Sequence, residues 1–89
     1  MKIVDYLTED DTRIGKTILS QIKALDKWAL DSWGAKNIVL FPQGIQFDIK
    51  ESKVIITLDK SVYNIEFNKK TFCNVLAENI VSTLDGVIK

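Results

Sequence analysis

The spacing of apolar residues changes period along the chain, and the changes mark its elements. From Ile14 to Ala29 apolar positions recur at three- and four-residue steps (Ile14, Ile18, Ile22, Leu25, Ala29), with Trp28 and Trp33 flanking the stripe. Lys16, Ser20, Lys23, Lys27 and Asp31 fall on the other side. This spacing predicts one long amphipathic helix. Thr8 is its expected cap, with Glu9, Asp10 and Asp11 in the first turn and an end near Trp33. Gly34 is expected to stop it by taking the left-handed conformation. Leu19 and Leu30 widen the apolar arc to about half the circumference at ~100° per residue, which predicts a second helix or another chain on that flank. Gly15 inside the helix costs roughly 1 kcal/mol relative to Ala, and so predicts a close approach of another backbone. Before Thr8, Ile3, Tyr6 and Leu7 fit either a helical turn or an arm lying on a sheet.

After Gly34 the period falls to two. Ile38–Phe41 is apolar throughout; then Ile45, Phe47 and Ile49, next Val54, Ile56 and Leu58, and last Tyr63, Ile65 and Phe67 alternate with mostly polar neighbours. Pro42-Gln43-Gly44, Glu51-Ser52 and Asp59-Lys60-Ser61 separate them as turns, so the strands are expected to pair as an antiparallel four-stranded meander. Helical spacing is expected to return with Phe72, Leu76, Ile80 and Leu84, with Cys73, Ala77 and Val81 beside them, Asn68 or Thr71 as the cap and Gly86 at the end. The predicted fold is α+β, a single domain over 1–89: long helix, four-stranded meander, C-terminal helix, both helices on one sheet face. Its expected core is Ile18, Ile22, Leu25, Phe47, Ile56, Ile65, Leu76 and Ile80.

Composition narrows the chemistry. Among 89 residues there is no histidine and one cysteine, Cys73. That removes an intramolecular disulfide, the commonest general base and the His-activated nucleophiles. Twelve basic side chains balance twelve acidic ones, and only Arg13 is arginine. The lysine bias argues against bidentate, sequence-specific reading of nucleic acid. No apolar run approaches the ~18 residues of a membrane span, and the N-terminus lacks the apolar stretch of a signal peptide. The expectations are therefore a cytoplasmic protein that is not an enzyme and uses no cofactor and no metal.

Four segments taken in order, TILSQIKALDKWALDSWGAKNIV, GIQFDI, KVIITLDKSVYNIEF and VLAENIVSTLDGVI, carry a resemblance. The chain resembles a group of small proteins encoded by bacteriophages and integrated mobile elements, which share a helix ending in GAKN and a later strand reading Tyr-x-(Val/Ile)-Glu-Phe, here Tyr63–Phe67. The similarity covers Thr17 to Ile88. Relatives in that group often carry a Gly-Arg pair and further basic residues after the strand, where this chain has Asn68-Lys69-Lys70. The resemblance implies a genomic context and a fold-level kinship, with no mechanism attached.

Each candidate site has a structural and a functional reading. Lys36 and Asn37 in Gly34-Ala35-Lys36-Asn37 either finish a helix cap or present a polar contact. Trp28 and Trp33 either fill the core or anchor an interface, Trp33 being expected to be the more exposed. Ile38–Phe41, as a first strand at a sheet edge, either lies under the N-terminal residues or forms a homodimer seam with Leu19 and Leu30. Asp48 and Glu66 are expected on a solvated sheet face. Lys69 and Lys70 are expected to open the second helix as a solvated pair or a phosphate contact. Cys73 is expected to be an inert buried thiol. The functional expectation is a small protein-interaction protein of phage or mobile-element origin that self-associates. The alternative is a nucleic-acid-binding accessory acting through Lys36, Lys69, Lys70 and Trp33, without sequence specificity.

Overall fold

The computed structural model describes residues 12–88; the expected Thr8 cap and the segment before it lie outside them. Helix α1 (Arg13–Leu25) is followed by a short helix α2 (Ala29–Trp33), then five strands: β1 (Ala35–Phe41), β2 (Gly44–Ile49), β3 (Ser52–Asp59), β4 (Val62–Phe67) and β5 (Lys70–Val75). A 3-10 turn (Ala77–Asn79) leads into α3 (Ile80–Ile88). The fold is α+β, with an N-terminal helix, an antiparallel sheet in the order β1-β2-β3-β4-β5 and a C-terminal helix.

Two expectations about the elements are corrected. The predicted long helix is broken at Asp26–Trp28. Asp26 leaves α1 in an extended conformation, and its carboxylate accepts the Trp28 backbone N–H at 3.0 Å. Helix and turn compete for that N–H, and the short acidic side chain favours the turn. Leu25, expected in the core, is 38% exposed at the break.

The second correction is a fifth strand where a helix was expected. Asn68 and Lys69 have φ of 51° and 69°, the pairing of left-handed residues that closes a tight hairpin, and Phe67 then faces Lys70. Thr71, Phe72 and Val75 suit a strand better than a helix because branched and aromatic side chains fit a pleated surface. Neither Asn68 nor Thr71 caps a helix. Lys69 lies in a turn and Lys70 begins a strand, so neither opens a helix. Cys73 is exposed and Leu76 is 48% exposed, both against expectation. Gly86 does not end α3, which continues to Ile88.

One apolar cluster joins the helices to the inner sheet face: Ile18 and Ile22 from α1, Ala29 and Trp33 from α2, Ile80 and Leu84 from α3, against Ile45, Phe47, Val54, Ile56 and Ile65. Burial raises the Tyr63 hydroxyl pKa above its ordinary value. The expected backbone approach at Gly15 is present: a Cβ there would lie 2.6 Å from the Gly44 carbonyl oxygen. Gly34 has φ 73°, the expected left-handed stop. The β2–β3 connection is Lys50-Glu51, one residue earlier than expected, because Ile49 faces Ser52.

Candidate interaction surface

Strand β1 has β2 on one side, and among the described residues no strand pairs with its other edge. Its register slips between Lys36 and Val39, where Asn37 takes a left-handed φ of 55°. The extra residue makes a bulge. The Asn37 side-chain amide donates to an Asp48 carboxylate oxygen at 2.9 Å, so this asparagine is tied to the neighbouring strand. Ile38 and Val39 are 42% and 47% exposed.

A groove lies on either side of this strand. On the open sheet face, Val39 and Phe41 line one with Gln46, Ile55 and Thr57. On the helix side, Ile38 and Ala35 line the other with Trp28, Leu30, Asp31, Lys23 and Lys27. The break at Asp26–Trp28 builds the second groove. Trp28 is 63% exposed, and the Lys27 ammonium stands 5.3 Å from the centre of its ring. The two tryptophans therefore exchange their expected places. Trp33 is 4% exposed, stacks on Phe47 with ring centres 6.3 Å apart, and its indole N–H donates to Asp85 at 2.6 Å.

Of the predicted site residues, Leu30 and Ile38 meet in the helix-side groove, and Phe41 lines the groove on the open face. Leu19 is half-buried against the core and lines neither groove. Lys36 faces Asp48, which in turn faces Lys53, in a row across one end of the sheet. Lys69 joins that end beside Lys53 and Glu66. Lys36 and Lys69 are three strands apart, roughly 14 Å at ~4.8 Å per strand. Lys70 heads the opposite edge strand. Asp48 and Glu66 both alternate with inward-facing residues, Asp48 between Phe47 and Ile49 and Glu66 between Ile65 and Phe67, so they lie on the same outer face. Among the described residues no three His, Cys, Asp or Glu side chains converge, and no helix is long and apolar enough to cross a membrane.

Sequence reasoning offered Trp28 as an interface anchor and Val39 within the edge strand, but ranked Trp33 as the more exposed tryptophan and did not single out Ile55. Asp26, two residues before Trp28, was the available signal, because aspartate at that offset can take the backbone N–H and turn the chain. Comparison with protein-family models, with curated proteins and with solved structures finds no match to this chain.

Proposed function

We propose that the chain is a small, non-enzymatic interaction protein of phage or mobile-element origin, acting in the cytoplasm, whose first partner is a second copy of itself. The supporting observation is the outer β1 edge, apolar on both faces and unpaired among the described residues, with Ile38 and Val39 exposed. An uncovered strand edge offers unpaired backbone groups, and proteins normally blunt it with charge, proline or a covering segment. From Ile38 to Phe41 this edge carries no charge and no proline. Both edge strands carry a lysine and a bulge, Lys36 and Asn37 on β1 and Lys70 and Asn74 on β5; β1 differs in the four consecutive apolar residues that follow its bulge.

Two copies pairing antiparallel through β1 about a two-fold axis normal to the sheet keep their faces aligned. Val39 then faces its own counterpart and Ile38 faces Leu40 of the other copy. Light scattering across protein concentration tests this. A dimer is expected for the native sequence and a monomer for Val39→Lys, whose side chain is exposed and whose fold circular dichroism checks. A native monomer at every concentration, or a Val39→Lys dimer, overturns the reading.

A nucleic-acid accessory role is the second reading. Lys36, Lys53 and Lys69 share one end of the outer sheet face, which favours it. Asp48 and Glu66 lie among them, and Trp33, its expected stacking residue, is buried. Mass gained with a single-stranded oligonucleotide at low salt and lost at moderate salt would put this reading first.

A further inference from the structure

We infer that the helix-side groove takes an acidic segment of another protein, with one apolar side chain seated between Trp28 and Ile38. The inference rests on the interaction-protein reading and adds the chemistry of a second partner. The groove encloses about 420 Å³, room for one large side chain. Its apolar floor is Leu30 and Ile38, and its wall is the exposed Trp28 ring. Tryptophan is one of the residue types enriched among the dominant anchors of protein interfaces.

Charge selects the partner. Lys23 and Lys27 line the groove against the single lining carboxylate of Asp31. Lys27 is already held over the Trp28 ring, so less side-chain freedom is lost when it meets a carboxylate. The excess positive charge is local, since the whole chain is neutral. Two lysines beside an apolar floor fit an acidic peptide with an apolar anchor better than a phosphate backbone, which needs a row of cations. The wall is fixed by the chain itself: the Asp26 carboxylate holds the Trp28 backbone, and Ser32 N–H donates to the Trp28 carbonyl at 2.8 Å.

The test uses the whole chain and a fluorescein-labelled peptide, Glu-Asp-Leu-Phe-Asp-Glu, read by anisotropy. A peptide with lysines in place of its acids and an oligothymidylate serve as competitors. Light scattering on the same samples reports self-association. The expected results are binding that weakens with salt, a loss of about tenfold or more in Trp28→Ala, and a similar loss in Lys23→Glu with Lys27→Glu. All three side chains are exposed, so these variants keep the fold. No binding at millimolar peptide, equal binding of the lysine peptide, indifference to Trp28→Ala, or displacement by the oligothymidylate each overturns the inference. Dimers that ignore the peptide would remove this inference and leave self-association standing. Monomers that bind it would do the reverse.

Discussion

The indole N–H of Trp33 donates to the carboxylate of Asp85 at 2.6 Å, joining two residues 52 positions apart and fastening α2 to α3. Both helices are short, five and nine residues, and α2 has no stability of its own at that length. Asp85→Ala leaves a buried indole N–H unpaired, and is expected to cost about 1–2 kcal/mol in urea unfolding. Asp85→Asn keeps an acceptor and is expected to retain most of that stability. Trp33 emission, recorded in a Trp28→Phe background, should shift to the red in the alanine variant alone. An Asp85→Ala protein as stable as the native one would show that Trp33 packing needs no tether.

Gly15 and Gly86 make a matched pair of opposite sign. At Gly15 an added Cβ meets the Gly44 carbonyl oxygen at 2.6 Å and the Leu40 side chain at 3.0 Å. Gly15→Ala is therefore expected to destabilise by about 1–3 kcal/mol, the usual cost of overpacking, despite the gain in helix propensity. Among the described residues, nothing beyond its chain neighbours and its own helix backbone lies within 4 Å of a Cβ on Gly86, inside α3, so Gly86→Ala is expected to stabilise by about 0.5–1 kcal/mol. Chemical unfolding of the two variants side by side checks both signs. A stabilised Gly15→Ala would mean that α1 does not rest on the β1–β2 hairpin.

Lys60 sits in the β3–β4 turn at φ 61°, a left-handed conformation that costs an L-residue with a Cβ roughly 1–2 kcal/mol. Its side chain is exposed and gives nothing back. Lys60→Gly is expected to raise stability by about 0.5 kcal/mol after the added chain entropy of glycine, and Lys60→Val to lower it by more than that. The measured order Gly, then Lys, then Val in denaturation midpoint is the check. Val above Lys would show that this turn tolerates a right-handed backbone.

Much of this fold was legible because long periodic stretches announce themselves. Ile18 and Ile22 on one stripe, and Phe47, Ile56 and Ile65 at alternate positions, are all fully buried. The rest turned on local competition that periodicity does not register. Phe72, Leu76, Ile80 and Leu84 are spaced like a helix, yet Asn68 and Lys69 close a hairpin that carries Phe72 into β5. Leu76 then falls between strand and helix, exposed. The break in the first helix was harder still, since DKW contains neither glycine nor proline and one aspartate side chain makes the turn. That turn decides which tryptophan reaches solvent, so the candidate site was less visible than the core. The edge strand was visible, because four consecutive apolar residues read the same on either face.

The sheet runs in chain order through four two-residue turns, so every strand pairs with the one made just before it. Each pairing closes a loop of only a few residues, the cheapest kind of contact in chain entropy. A chain leaving the ribosome can therefore zip its sheet strand by strand in the direction of synthesis. Among the described strands, β1 is the first made, and its outer edge is one that no later strand covers.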